Sequence, residues 1–409
     1  MFVGIDDTDS PKGMCTTFIC KMIMDELADS FEIIGFPKLI RLNPNIPYKT
    51  RGNGALSFEI KGDPRNVMSI IKDTLTRFFM DDPRTNPGVV LIDGEVPPIL
   101  NDFYIRALHD VIEIGEAHDL AADIGAETLK YGNGRGVIGA LASIGSVVPD
   151  PTFELIAYRL MENIGKPRYV DDESVKEIDI RYHPRIFDSY DWHNKYIAIS
   201  PNAPCPVLYG IRGDDWRLLE EASCQLVTEP IFKKQIFFTN QATDAHIEDK
   251  KISDIQEFSS VHLCGKVTNG PRYEHKGHVF MGISDDTGDI ICAAYEPTKE
   301  FRNVVSQLVP CDEVEVWGGI KRTSYGLTLN LEKLTLRKLV AIYKNIVPSC
   351  CGKKMQSIGA GKGYRCRSCN KRISEGDVEK ALVEREITEG PYEVPVIARR
   401  HLARPLCRL

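Results

Sequence analysis

The sequence predicts a multidomain α+β protein, and three observations support that class. Its 409 residues suggest about three domains. Apolar strand patterns alternate with helical patterns through residues 1–245, which is typical of sheets covered by helices. Beyond residue 255, closely spaced strand patterns dominate and four clustered cysteines follow them. The composition, 43% hydrophobic and 27% charged, is that of a soluble globular protein.

The first element ends in an acidic cluster. The apolar run 2–5 predicts a buried strand. It is followed by three carboxylates, those of Asp6, Asp7 and Asp9. Thr16 and Thr17 then open a predicted helix, whose free N–H groups and positive dipole end attract phosphate. Acidic and hydroxyl residues before a helix are also ordinary caps, but crowded like charges favour a cation, and so a magnesium or phosphate site.

The rest of the first domain, residues 1–131, is predicted to alternate between strands and helices. A glycine-flanked loop, Arg51-Gly52-Asn53-Gly54, leads into the predicted strand at 55–60. The patterns predict strands at 31–42, 55–60 and 89–92, with helices at 64–80, 100–114 and 116–130.

The second domain, residues 132–245, begins with the loop from Gly132 to Gly136, which contains Gly134 and Arg135. We predict a β-α-β-β-α-β order, which is that of a ferredoxin-like unit. The predicted strands are 137–146, 175–180, 196–200, 207–211 and 231–239, and the predicted helices are 152–165 and 214–226.

Residues 255–340 predict an OB fold after a polar linker. Three strands (261–267, 278–284 and 290–295), a helix (298–308) and two strands (312–318 and 327–334) follow in that order. OB folds commonly bind single-stranded nucleic acid, and we expect about two of its aromatic residues to be exposed for stacking. The candidates are Tyr273, Phe280, Tyr295, Trp317 and Tyr325.

Residues 345–375 predict a zinc ribbon. Cys366 and Cys369 have the two-residue spacing of a zinc knuckle, whereas Cys350 and Cys351 are adjacent. Either the first knuckle is shortened, or one ligand is lost or replaced. The remaining cysteines in apolar runs are interpreted as small buried residues, namely Cys20, Cys205, Cys224, Cys264, Cys292 and Cys311.

The charge is unevenly distributed. Residues 321–409 contain 19 Lys and Arg against 8 Asp and Glu, a balance of +11, so the first 320 residues carry −18 of the overall −7. This balance, together with a basic tail at 376–409, indicates a polyanionic partner. No stretch is apolar for long enough to span a bilayer and no signal pattern opens the chain, so we expect a cytoplasmic protein. Neither a P-loop nor a dinucleotide-binding glycine motif is present.

In combination these motifs resemble one family. They are the opening IDDTDS with its following CTT, the RGNG loop, the stretch GNGRGVIGALASIG, the OB order, the cysteine ribbon and the tail ARRHL. The chain resembles the archaeal-type isoleucine tRNA 2-agmatinylcytidine synthetases over essentially its whole length.

The resemblance implies a kinase-like N-terminal domain and an ATP-dependent ligase that forms a carbon–nitrogen bond. ATP would phosphorylate the 2-oxo group of the wobble cytidine in an isoleucine tRNA with a CAU anticodon. Agmatine would then displace the phosphate. The family has a phosphorylated threonine after the acidic motif, which by position is Thr16, with Thr17 second.

The residues suit that chemistry. Magnesium held by Asp6, Asp7 or Asp9 would neutralise a transferred phosphate, and Arg51 and Arg135 would clamp phosphate oxygens. Dicationic agmatine suits the acidic body. The candidates for contact with the nucleotide are Lys12, Arg51, Gly52, Asn53, Gly54, Gly134 and Arg135, and those for zinc are Cys350, Cys351, Cys366 and Cys369.

Two alternatives are distinguishable. A non-catalytic RNA or single-stranded nucleic-acid binding protein would use the OB fold and ribbon but leave the acidic motif without a role. A different ATP-dependent enzyme acting on a small molecule would leave the basic C-terminal region without one.

Overall fold

The structure is a computed structural model, which describes residues 1–274 and 277–409. Its N-terminal domain places helices on both faces of an antiparallel sheet. In chain order the elements are β1 (Phe2–Asp6), α1 (Thr16–Ala28), β2 (Glu32–Arg41), β3 (Gly54–Lys61), α2 (Pro64–Phe78), β4 (Gly88–Ile92), α3 (Ile99–His109), α4 (Ile114–Asp123), β5 (Glu127–Lys130) and α5 (Gly136–Gly145). The predicted elements up to residue 123 are confirmed, but 127–130 is a strand that pairs with β4, so the prediction of a helix to residue 130 is wrong at its end.

The ferredoxin-like domain is confirmed, although two of its elements, and the helix α5 that precedes it, differ from the prediction. Its elements are β6 (Thr152–Arg159), α6 (Asp172–Tyr182), β7 (Ile186–Phe187), β8 (Tyr190–Asp191), β9 (Tyr196–Ile197), β10 (Val207–Gly213), α7 (Trp216–Gln225) and β11 (Ile231–Thr239). The strands run in the order β11-β6-β10-β7, with neighbouring strands antiparallel.

The predictions of a strand at 137–146, a helix at 152–165 and a strand at 175–180 are wrong, and burial explains each error. α5 is buried on all sides, so its apolar run has no polar face to reveal a helix. β6 is buried along most of its length within the sheet, so it shows no alternation. α6 alternates locally in sequence, but its buried residues 174, 175, 178, 179 and 182 follow helical spacing after the Asp171 cap.

One sheet joins the two domains. β11 pairs with β2 in parallel, with Phe238 opposite Lys38 and Thr239 opposite Leu39. The side chain of Asn240 extends this pairing, because its Oδ1 accepts the Arg41 N–H at 2.8 Å and its Nδ2 donates to the Arg41 carbonyl at 2.9 Å. The resulting sheet has the order β5-β4-β1-β3-β2-β11-β6-β10-β7.

The OB fold is confirmed as a closed barrel. Its elements are β12 (Glu248–Asp249), β13 (Ser260–Glu274), β14 (His278–Ser284), β15 (Asp289–Ala294), α8 (Phe301–Val305), β16 (Glu313–Thr323) and β17 (Gly326–Lys338). β13 pairs with both β14 and β16, which closes the barrel around an apolar interior. Among the candidate stacking residues, Tyr273 and Tyr325 are exposed, as expected for about two of them, whereas Phe280 is buried.

The C-terminal region forms small sheets and then returns to the body of the protein. Its strands are β18 (Tyr343–Asn345), β19 (Ser349–Cys350), β20 (Lys353–Lys354), β21 (Gln356–Ser357), β22 (Tyr364–Arg365), β23 (Arg372–Ile373), β24 (Lys380–Leu382) and β25 (Gly390–Glu393). β25 pairs with β17 of the barrel. None of the helices within residues 1–274 and 277–409 is long and apolar enough to cross a membrane.

Three cysteines predicted to be buried are exposed. Cys20, Cys205 and Cys292 are buried as expected, but Cys224, Cys264 and Cys311 are exposed. Cys264 lies on the outer face of β13 because its neighbour Leu263 takes the inward position. Cys224 lies beyond the buried stripe of α7, and Cys311 occupies a turn with φ of 75° before β16.

Candidate active site

The acidic cluster lies where β1 ends beneath the N-terminus of α5. The close contact between the two elements depends on glycine. A Cβ at Gly136 would lie 2.5 Å from the carbonyl oxygen of Asp6, and a Cβ at Gly139 would lie 1.9 Å from Asp6 Oδ2. The GNGRGVIGALASIG stretch is therefore a buried helix that leaves room for the Asp6 carboxylate.

Asp9 connects the acidic cluster to the start of α1. Its Oδ1 accepts the backbone N–H of Thr16 at 2.7 Å and the Thr16 hydroxyl at 3.1 Å. Cys15, the residue at the N-cap position, makes no side-chain capping bond. Asp9 therefore satisfies a free N–H of the helix and at the same time orients the Thr16 hydroxyl. The neighbouring Thr17 hydroxyl instead contacts Cys15 Sγ at 3.4 Å.

Burial disfavours the charges of the other two carboxylates. It raises the pKa of Asp6 well above its ordinary value, and the charge of Asp7 adds to that effect. Burial also raises the pKa of Asp7 to about 7, although Asp7 Oδ2 accepts the Asn86 N–H at 3.2 Å. Both carboxyl groups lie at the end of one strand, and a bound cation would favour their ionised forms.

Two arginines border the cluster from separate loops. Arg51 Nη2 donates to the Ser10 carbonyl at 2.6 Å, and Arg51 Nη1 lies 3.9 Å from Asp9 Oδ2. The guanidinium of Arg135 lies over the ring of Tyr48, 4.0 Å from its centroid. Tyr48 is half exposed and was not selected from the sequence, because nothing local links it to a loop 87 residues away.

These groups line one cleft, which we call the acidic cleft, and the space within and in front of it, open solvent included, is about 700 Å³. Its lining includes most of the residues predicted for the site, namely Asp6, Asp7, Asp9, Thr16, Arg51, Gly52, Asn53, Gly54 and Arg135. Lys12 is not part of this lining, because its amine faces Asp82 Oδ2 at 3.5 Å. Gly134 also lies outside the lining, and its φ of 71° turns the chain into α5.

A second cavity adjoins the acidic cleft between the two domains, and we call it the interdomain cavity. It has an empty volume of about 1370 Å³. Asp9, Thr16 and Arg51 line both cavities, so the Thr16 hydroxyl lies where they meet. The sequence analysis did not select the residues that complete this cavity, among them Arg41, Glu154, Cys205, Arg212 and His401.

The far wall of the interdomain cavity brings distant motifs together. Arg41 Nη2 lies 3.9 Å from Glu154 Oε2, which also accepts a hydrogen bond from Gln241 at 2.6 Å. The His401 ring lies next to Gly52, where an added Cβ would come within 3.2 Å of His401 Cδ2. The positive charge of Arg41 and desolvation among its neighbours lower the pKa of His401 well below its ordinary value, although the side chain remains exposed.

Most of the tail arginines lie against the body in ion pairs. Arg399 pairs with Asp188 and Glu393, and Arg400 pairs with Glu332. Arg404 and Arg408 both pair with Asp150. Acidic residues of the body therefore neutralise these four tail arginines, and the binding of a polyanionic partner by the tail stays a prediction. The tail thus contacts both the ferredoxin-like domain, through Asp188, and the OB barrel, through Glu332.

The four ribbon cysteines converge. Their sulfur atoms all lie within 4.8 Å of one another, with Cys350 Sγ 3.8 Å from Cys351 Sγ and 3.5 Å from Cys369 Sγ. Tetrahedral zinc–sulfur bonds of about 2.3 Å place sulfurs about 3.8 Å apart, so the donor set fits zinc. Cys351 has a φ of 51°, and this turn lets the adjacent cysteines face one point. The first knuckle is therefore shortened, and all four cysteines remain candidate ligands of one ion.

An acidic cleft in an α/β domain shares this chain with an OB barrel and a four-cysteine ribbon. The fold and site thus define an enzyme that carries nucleic-acid-binding modules. Family models match in four segments, described as the TiaS TCKD domain (2–64), the TiaS FLD domain (134–246), an OB-fold nucleic acid binding domain (261–337) and the TiaS C-terminal zinc ribbon domain (347–387). The chain belongs to the isoleucine tRNA 2-agmatinylcytidine synthetase family, TiaS.

Relatives match along the full length of the chain. The 2-agmatinylcytidine synthetase TiaS of Archaeoglobus fulgidus is 44% identical over 415 residues, covering 100% of this chain and 97% of that protein. A complex of TiaS with an isoleucine tRNA and ATP matches with a TM-score of 0.91 and 43% identity, and a complex of TiaS with the tRNA, AMPCPP and agmatine matches with 0.88 and 40%. In both, the match covers 100% of this chain and 97% of the other. The family resemblance inferred from the motifs is confirmed.

Proposed function

We propose that this protein uses ATP to attach agmatine to the wobble cytidine of an isoleucine tRNA with a CAU anticodon, which yields 2-agmatinylcytidine. One observation carries the proposal beyond family membership. Thr16 and its partner Asp9 line both the acidic cleft and the interdomain cavity, so one hydroxyl faces a site for ATP and a site for the base.

The acidic cleft is the proposed ATP site. The N-terminus of α1 presents free N–H groups toward phosphate, and Arg51 and Arg135 supply fork-shaped donors for phosphate oxygens. Tyr48 provides an exposed ring beside Arg135. Gly52 and Gly54 line the cleft without side chains, which allows a ligand to approach the backbone closely.

Asp6, Asp7 and Asp9 would hold magnesium in this cleft. All three offer oxygen donors, which hard cations prefer, and burial disfavours the charges of Asp6 and Asp7. A bound magnesium ion would neutralise negative charge on the phosphates. The zinc of the ribbon would stabilise a segment too small to hold a core of its own.

Thr16 is the proposed phosphoryl acceptor within the chain. Its hydroxyl oxygen would form the new bond to the transferred phosphorus while the bond between that phosphorus and the rest of the nucleotide breaks. The hydroxyl proton would pass to Asp9 Oδ1, which lies 3.1 Å away. Buried Thr16 is protected from bulk water, which favours transfer to the hydroxyl over hydrolysis.

The cytidine and agmatine are proposed to meet in the interdomain cavity. The 2-oxo oxygen would bond to the phosphorus transferred from ATP while the bond between that phosphorus and the rest of the nucleotide breaks, which turns a poor leaving group into a good one. The agmatine amine then adds to C2, phosphate departs with the former carbonyl oxygen, and the amine loses a proton. Asp9 and Glu154 are the carboxylates that line this cavity, among four arginines, and they would meet a cationic end of agmatine. The cytidine must leave its stack to enter.

The experiment is mass spectrometry of an isoleucine tRNA transcript with a CAU anticodon, incubated with the protein, ATP, magnesium and agmatine. We expect a mass gain at the wobble cytidine that requires both ATP and agmatine. Tight tRNA binding without any mass gain would overturn the proposal in favour of a non-catalytic RNA-binding protein.

A matched pair of variants tests the threonine assignment. Thr16→Ala removes the hydroxyl on Asp9 and should abolish base modification while leaving tRNA binding intact. Thr17→Ala removes the adjacent hydroxyl, which contacts Cys15 Sγ rather than Asp9, and should retain activity. Full activity of Thr16→Ala would refute the assignment.

A further inference from the structure

A cluster of metal-binding side chains lies on the outer face of the OB barrel, separate from the ribbon cysteines. It consists of His262, Cys264 and Glu315, whose ligand atoms all lie within 4.8 Å of one another. We propose that these three residues form a second zinc site, built by the barrel itself and distinct from the site in the ribbon.

Strand register places the three side chains together. Cys264 is directly opposite Glu315 in the antiparallel pair of β13 and β16. His262 precedes Cys264 by two residues, so both side chains leave the same face of β13. The intervening Leu263 is buried in the barrel interior. The cluster is thus fixed by two paired strands rather than by mobile loops.

The distances suit one tetrahedral ion. His262 Nε2 lies 3.8 Å from Cys264 Sγ and 3.8 Å from Glu315 Oε2. Zinc bonds of about 2.0–2.3 Å at tetrahedral angles require nitrogen–sulfur and nitrogen–oxygen separations of about 3.6 and 3.4 Å. Small side-chain rotations therefore bring the three donors onto a common ion. The set of imidazole, thiolate and carboxylate is one that zinc accepts.

The groups around the ligands are arranged as in metal sites. Asp249 Oδ1 lies 2.6 Å from His262 Nδ1, which directs the other ring nitrogen, Nε2, toward the cluster. The indole of Trp317 stacks on His262 at 4.3 Å with an interplanar angle of 9°, so the ring orientation is fixed from two sides. A carboxylate–histidine pair of this kind orients metal ligands and raises their basicity.

The neighbouring cations are already engaged. Arg337 Nη2 binds Glu315 Oε1 at 2.6 Å, which leaves Oε2 facing the histidine. Lys251 Nζ pairs with Asp286 at 2.7 Å. A catalytic Cys–His–Asp arrangement is the rival interpretation, but Glu315 would repel a thiolate at Cys264 unless a cation lay between them.

An ion at this site would reinforce the junction between the linker and the barrel. Asp249 belongs to β12, which pairs in parallel with β13 and places Asp249 opposite His262. Three protein ligands leave the fourth position open to water from the adjoining surface cleft, which Cys264 and Glu315 also line.

The test is the zinc content of the full chain after equilibrium dialysis at micromolar zinc. We expect about two zinc ions per chain for the wild type and about one for either Cys264→Ser or the ribbon variant Cys369→Ser. Combining the two substitutions should remove both ions. Cys224→Ser, which changes an exposed cysteine on α7, serves as the matched control and should retain two.

A second variant keeps the test decisive if Cys264→Ser misfolds. Asp249→Asn retains all three ligands and should weaken the second site by about 10–100-fold in zinc dissociation constant without affecting the first. A wild-type content of one zinc, lost with Cys369→Ser, would overturn the proposal. So would a content of two zinc ions that neither Cys264→Ser nor Asp249→Asn alters.

Discussion

The bond between Asp9 and Thr16 makes a quantitative prediction. Asp9→Asn preserves the size of the side chain and an oxygen that accepts the Thr16 N–H, which lies 2.7 Å from Asp9 Oδ1. It removes the carboxylate that would take the hydroxyl proton. Loss of such a base lowers rates by about 10²–10⁴-fold, which corresponds to about 3–5 kcal/mol in the activation free energy.

The stability effect should be much smaller. A hydrogen bond to a charged acceptor contributes about 1 kcal/mol more than one to a neutral acceptor, and Asp9 is partly exposed, which reduces the difference further. Asp9→Asn should therefore fold normally. The kinetic loss should exceed the change in the free energy of unfolding several-fold.

The assay is a single-turnover reaction with ATP, followed by quantitative mass spectrometry of the peptide that contains Thr16. Asp81→Asn is the control, because it removes an exposed carboxylate of the loop after α2 that does not contact Thr16. Excess magnesium should not restore the rate of Asp9→Asn if the carboxylate acts as the base. Phosphorylation of Thr16 at the wild-type rate in Asp9→Asn would refute the reasoning.

Three further predictions follow from other contacts. Gly139→Ala should reduce the rate of ATP consumption by at least about tenfold, because its Cβ would lie 1.9 Å from Asp6 Oδ2. Gly115→Ala is the control and should be near wild type, because nothing lies within 4 Å of its Cβ. Equal steady-state rates of the two variants would contradict this prediction. The pKa of His401 is lower in the folded chain than in the unfolded chain, so the unfolded chain takes up the proton first, and the free energy of unfolding should fall as the pH drops below about 6.5. Thermal unfolding at several pH values should show a shallower fall for His401→Gln. An unchanged slope would show that His401 does not contribute to this pH dependence. Replacing the exposed Lys353 and Lys354 with alanine should weaken tRNA binding and reduce the slope of log affinity against log salt by up to about two, and an unaltered slope would show that this ribbon face does not contact phosphate.

The parts of the fold that were predictable carry local signals. β1 with its acidic end, the helix α7 and the chain order of the OB elements all follow from periodicity. α5 and β6 could not be distinguished by period, because tertiary burial on all sides erases the contrast between faces. α6 was recoverable, since the side chain of Asp171 caps it by accepting the Ser174 N–H.

The site divides in the same way. The carboxylates, Thr16 and the RGNG loop stand out as dense local motifs, and the structure brings them into one cleft. Tyr48 and Glu154 reach the cavities only through contacts between segments about 90 residues or more apart, so no local pattern marks them. The composition of the tail does not reveal that its arginines meet acidic partners such as Asp188 and Asp150, which are distant in sequence.

The shared ladder of β2 and β11 has a consequence for how substrates enter. A hinge motion that opened the interdomain cavity would break the pairing of β2 with β11 and both hydrogen bonds between Asn240 and Arg41. The walls on either side of Thr16 therefore belong to a single rigid frame. If the cytidine binds in the interdomain cavity, as proposed, it would enter a cavity whose width this pairing holds fixed, and discrimination between nucleotides would rest on their fit rather than on domain closure.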